Sequence, residues 1–205
     1  MKRAFIAVAF VMAAFTLPAH AANIIDEWAS VKAPQPPALK PVTVDAKTTA
    51  LLMLDFMNQN CGQRPRCVAS IPAMKKLLDA ARAAKVAVVY SFIANTTTAD
   101  VIKDVAPLSG EPSVLSGPDK FFKTDLEKIL ADKGIKTVIV AGTAANGAVL
   151  FTANSAALRG MNVIVPVDGM SAVDPFIELS TAVHMATGPA IAAKATLTKS
   201  EMIKF

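Results

Sequence analysis

Three observations predict an α/β fold with a mostly parallel sheet covered by helices on both faces. Short, continuous apolar runs recur along the chain, as strands buried on both faces require. Segments of helical length, several with recognisable caps, separate them. Strict alternation of the two implies crossover connections, which join strands in parallel. The composition supports such a core: 205 residues, 53% hydrophobic and 18% charged, with a mean hydropathy of +0.44. A chain of this kind buries enough apolar surface to order itself, which excludes wholesale disorder.

The elements follow in order. Lys2 and Arg3, an apolar run of 12 residues from Ala4 to Phe15, and the small-residue site Ala19-His20-Ala21 predict a secretory leader over residues 1–21. The run is short of the ~20 residues a membrane span needs, so no span is expected after cleavage and the mature chain is expected in the periplasm or secreted. Residues 22–46 contain Pro34, Pro36, Pro37 and Pro41 with Trp28 and read as an extended arm packed on a domain of residues 47–205. Strands are expected over 50–55, 86–93, 137–141, 162–167 and 190–197. Ser70 caps a helix running to about residue 85. Thr124-Asp125-Leu126-Glu127 is a capping box for a helix closed by Gly134. Further helices are expected over 146–159, ended by Gly160, and from the Asp174-Pro175 cap to about residue 187. Residues 94–118, with three prolines and two glycines, read as a long connection lining a site.

Ligands in open parallel sheets bind beyond the carboxyl ends of the strands. Asp55, directly after Leu51-Leu52-Met53-Leu54, therefore stands where a buried strand meets a pocket, and is the candidate for proton transfer; a turn or cap acid is the alternative. Gly142-Thr143-Ala144-Ala145-Asn146-Gly147-Ala148 is a strand-to-helix turn whose N–H groups suit an anion or oxyanion, although it lacks the spacing of a phosphate loop. Cys61 and Cys67 are the only cysteines. In an exported chain their even count and close spacing argue for a disulfide that holds the loop in shape, with a metal pair or a reactive thiol as alternatives. His184, the one histidine after the leader, reads as structural, and the methionines as core filler. The charge of +5 drops to +3 without Lys2 and Arg3, too mild and scattered for a nucleic-acid partner.

Together these segments resemble the isochorismatase-like (cysteine hydrolase) superfamily over roughly residues 47–200. The landmarks are Leu51-Leu52-Met53-Leu54-Asp55-Phe56-Met57-Asn58, Phe121-Phe122-Lys123-Thr124-Asp125-Leu126 and the run from Gly134 to Asn146, followed by Thr152, Ala153, Ala156 and Gly160. The resemblance implies a three-layer Rossmann-like fold with a six-stranded sheet, a homo-oligomer, and hydrolysis of a small molecule at an Asp, Lys, Cys site. It places Asp55 on the catalytic aspartate and Asn58, Gly142, Thr143, Ala144, Asn146 and Ala148 around the substrate.

Two departures stand out. Ala148 occupies the position of the nucleophilic cysteine, so covalent amidase chemistry loses its thiol. Leu115 falls at the lysine position, and Lys120, five residues later, is the candidate to reach the same acid. The family's occasional zinc segment has no counterpart in residues 92–104, so no metal and no cofactor is implied. Isochorismatases proper also lack the cysteine and use the aspartate as an acid on a vinyl ether. The expectation is therefore a hydrolase of degenerate triad, or a non-catalytic periplasmic binding or envelope interaction protein.

Overall fold

In the computed structural model, residues 23–205 are described; the expected leader lies outside them. The described residues divide into two units, residues 23–33 and Pro34–Phe205. Within the first, Asn23 caps a short helix α1 (Ile24–Glu27) by accepting from the Ile25 and Asp26 N–H groups. Trp28 is exposed.

The second unit opens with Pro36, Pro37 and Leu39, which line an apolar hollow with Val167, Met170 and Leu197. β1 (Val42–Thr43) then pairs in parallel with β9 (Ile203–Lys204). The unit from Pro34 includes the arm's second half, which is tied down by Lys40 N–H to the Leu197 carbonyl and Val44 N–H to the Lys204 carbonyl.

The main sheet contains β2 (Thr49–Leu54), β3 (Ala87–Phe92), β4 (Ser113–Leu115), β5 (Thr137–Thr143), β6 (Asn162–Pro166) and β8 (Ala195–Thr198) in the order β4-β3-β2-β5-β6-β8. A two-residue strand, β7 (Met170–Ser171), adds to β5. Every pairing is parallel, as the sequence predicts.

Period-2 alternation in β2 sends Ala50, Leu52 and Leu54 into one core and Leu51 and Met53 into the other. Helix α2 (Pro65–Ala83) covers the second core with Ile71, Met74, Leu77, Leu78 and Ala81. Helices α3 (Leu126–Asp132), α4 (Leu150–Leu158) and α5 (Pro175–Thr187) cover the first, through residues such as Leu130, Ala153 and Met185. The result is the expected helix–sheet–helix sandwich.

Four local expectations are corrected. β4 forms inside the expected loop, and only Val114 of its three residues is buried. Helix α2 starts at Pro65 rather than Ser70: proline is favoured at a first helical position, and the Ser70 hydroxyl donates to the Cys67 carbonyl inside the helix. The capping box is not made. The Thr124 hydroxyl accepts from Leu126 N–H and donates to the Lys120 carbonyl, while Glu127 pairs with Arg159. The last strand is shorter than expected, since residues 189–194 form a turn closed by Lys194 N–H to the Ile191 carbonyl; its alanine-rich run carries neither helix nor strand period.

Candidate active site

The order of the strands reverses at β2, which has β3 on one side and β5 on the other. A ligand crevice is expected at the carboxyl ends there, and a cleft of about 440 Å³ opens at that point. Its lining includes Asp55, Asn60, Arg64, Ile93, Leu115 and Ala148. Close approach of the two strands is made possible by Gly142, at φ +153, where a Cβ would fall 2.2 Å from the Leu54 carbonyl oxygen. The Thr143-Ala144 peptide that follows is cis.

Asp55 leaves β2 with φ +58, a left-handed conformation that a short polar side chain tolerates better than most. Its Oδ1 accepts from the Ser91 hydroxyl at 2.7 Å, and its Oδ2 from Lys120 Nζ at 2.7 Å. The ammonium also donates to the Gly117 carbonyl at 2.8 Å and the Ser116 carbonyl at 3.4 Å. All three of its protons thus have acceptors. The pair is almost fully withdrawn from solvent, with side chains 1% (Lys120) and 6% (Asp55) exposed. Buried charges persist only when paired and hydrogen-bonded in this way.

Lys120 is itself held from α4. Its N–H donates to the Thr152 hydroxyl at 3.2 Å, and the preceding Asp119 accepts from Ser155 at 2.7 Å. Leu115 ends β4 on the cleft rim and is 58% exposed. The cation at the acid therefore comes from position 120 and not from 115.

Of the other residues singled out in the sequence, Thr143, Ala144 and Ala148 line the cleft with Asp55. Asn58 and Asn146 are exposed and outside its lining, and Gly142 is buried behind it. The turn after β5, over Ala145–Val149, is kinked at Gly147, whose φ of −121 and ψ of −106 are not helical. Gly147 and Val149 N–H both donate to the Ala144 carbonyl, so within the expected anion-holding turn of residues 142–148 the Gly147 N–H is already occupied. Cys61 and Cys67 are joined in a disulfide, and both are buried, which removes the metal-pair and reactive-thiol alternatives. His184 is exposed on α5, 3.4 Å from the Asn154 amide. Among the described residues no group of three His, Cys, Asp or Glu side chains is arranged to hold a metal.

Sequence reasoning missed Ser91 and Arg64. Ser91 was hidden in an apolar strand. Arg64 lies in the disulfide loop, and its Nη1 donates to the Thr143 hydroxyl at 3.0 Å, across a sequence separation that no local motif reports.

Residues 49–198 match the model of the isochorismatase domain. The chain belongs to the isochorismatase family. It is 27% identical over 178 residues, 80% of this chain and 94% of the relative, to the secreted isochorismatase effector Isc1 of Verticillium dahliae. Among solved structures, a cysteine hydrolase of Pseudomonas syringae superposes with a TM-score of 0.70 at 21% identity, covering 80% of this chain and 94% of that one. The N-carbamoylsarcosine amidase of Thermoplasma acidophilum superposes with a TM-score of 0.65 at 23% identity, covering 75% and 97%. At those identities the likeness establishes the α/β fold shared by the isochorismatase-like hydrolases.

Proposed function

We propose that this isochorismatase-like protein is an exported hydrolase that cleaves a C–N or ether bond of a small molecule by acid–base chemistry on Asp55, without a covalent intermediate. The observation that carries the reading is the Asp55–Lys120 pair at 2.7 Å in a cleft that Ala148 also lines, the residue that the resemblance sets at the nucleophile position. Both cysteines are bridged, and neither can attack a carbonyl.

In this reading Asp55 exchanges a proton with water and with the departing atom, while Lys120 and Ser91 fix the carboxylate's orientation. Ala144 and Ala148 give the cleft an apolar wall beside Asp55, with Leu115 on its exposed rim. No cofactor enters the scheme. The leader expected over residues 1–21, the disulfide, and a relative described as secreted support a periplasmic or extracellular location. Self-association belongs to the same reading, and the exposed Phe122, Phe151 and Phe176 are apolar surface it would cover.

The deciding experiment is turnover by the purified protein against small amides, ureides, esters and enol ethers, beside Asp55→Asn. Asparagine keeps the shape and tolerates the backbone. Removing a general acid–base group is expected to lower kcat by roughly 10²–10⁴-fold. Silence across the panel from a folded wild type would replace this reading with a non-catalytic small-molecule-binding protein, which the Ala148 methyl also favours.

A further inference from the structure

Arg64 is the only basic residue among those lining the cleft. The negative charge of Asp55 is already matched by Lys120, whereas no carboxylate of the described residues pairs with Arg64. Among the described residues its one side-chain hydrogen bond runs from Nη1 to the neutral Thr143 hydroxyl, which donates in turn to the Ser171 carbonyl at 3.3 Å. A guanidinium carries five N–H donors, so most of them are left without a protein acceptor. The cleft therefore has a surplus of one positive charge and a deficit of acceptors at the same atoms.

The backbone around Arg64 is fixed before any ligand arrives. Its N–H donates to the Cys61 carbonyl at 2.9 Å, and it sits within the loop closed by the buried Cys61–Cys67 bridge. Pro65, the next residue, opens α2. Arg66 forks onto Glu178 of α5, whose Oε1 also accepts from Ala172 N–H at 2.9 Å. A cation held this way loses little further freedom on binding an anion.

We propose that Arg64 is the anchor for a carboxylate on the ligand, so that the cleft takes small monocarboxylic acids with an apolar body. This rests on the cleft being the substrate site of the hydrolase reading above. Its other walls, Ile93, Ala94, Leu115, Pro118, Ala144 and Ala148, suit the apolar part. A planar guanidinium matches the two oxygens of a carboxylate. A phosphate brings more charge and more acceptor oxygens than one guanidinium serves.

The test is direct binding, measured by calorimetry on the whole protein, of acetate, pyruvate and benzoate, each against its own amide. At least one acid is expected to bind more tightly than its amide by roughly tenfold or more, as a charge-assisted hydrogen bond provides. Arg64→Gln is expected to abolish that preference and Arg64→Lys to keep part of it. Equal binding of acid and amide by the wild type, absence of binding by all three acids, or a preference that survives Arg64→Gln would each overturn the proposal. The amide titrations are repeated on Asp55→Asn, so that heat of turnover is not read as binding. Failure of the hydrolase reading leaves the acid preference intact with no reaction, and failure of the Arg64 proposal leaves Asp55-dependent turnover of neutral substrates.

Discussion

A lysine ammonium buried against an aspartate is stable only as part of a set. Lys120 Nζ has acceptors on Asp55, Gly117 and Ser116, and Asp55 has donors on Lys120 and Ser91. Removing one partner leaves a desolvated charge with nothing opposite it, which costs about 3–5 kcal/mol, whereas removing both charges costs far less. Lys120→Met is therefore expected to lower the urea midpoint sharply, and Asp55→Asn in the Lys120→Met background to recover most of the loss. The check is a double-mutant cycle by urea denaturation. A double variant no more stable than Lys120→Met alone would mean that the unpaired Asp55 carries no penalty and that the two charges are not coupled.

At the scale of the element, the disulfide loop and the start of α2 act as one unit. Closing so short a loop constrains the unfolded chain by about 2 kcal/mol. Replacing both cysteines, Cys61→Ser with Cys67→Ser, is expected to lower the melting temperature by roughly 4–8 °C and to weaken the carboxylate preference, because Arg64 then hangs from a looser loop. Scanning calorimetry reads the first effect and binding calorimetry the second. The same unit shows what a sequence can and cannot tell. β2 was legible because Leu51, Leu52, Met53 and Leu54 form an unbroken apolar run, and Asp55 was legible as the acid at its end. β4 was not, because an edge strand with only Val114 buried leaves no apolar run. The start of α2 was obscured by reading Cys61 to Cys67 as loop, although Pro65 alone signals a first helical turn. Lys120 could be named as a candidate only through the resemblance, which sets the expected lysine at position 115, five residues before it. Arg64 could not, since its link to Thr143 spans 79 residues and exists only once β2 and β5 lie side by side. Ser91 likewise becomes a site residue through parallel pairing, which sets it opposite Leu54, the residue before Asp55.

For the molecule as a whole, the question is how much of the arm the folded body needs. Residues 24–30 contribute no buried side chain. Downstream of Pro34 the chain packs Leu39 against one core and Val42 and Val44 against the other, and pairs Val42 and Thr43 with Ile203 and Lys204. That segment joins the beginning of the domain to its end, so its loss exposes both the β9 edge and the lower rim of each core. Partial burial of three aliphatic side chains plus a few backbone hydrogen bonds amounts to roughly 2–4 kcal/mol. A chain begun at Pro34 is expected to melt within a degree or so of the chain begun at residue 22. A chain begun at Lys47 is expected to melt lower by roughly 5–15 °C and to expose Ile203, now buried, to limited proteolysis near the carboxyl end. Thermal melts of the three lengths, side by side, decide it. Equal stability of the Lys47 chain would place the domain boundary at the start of β2 and reduce the β1–β9 pair to a surface contact.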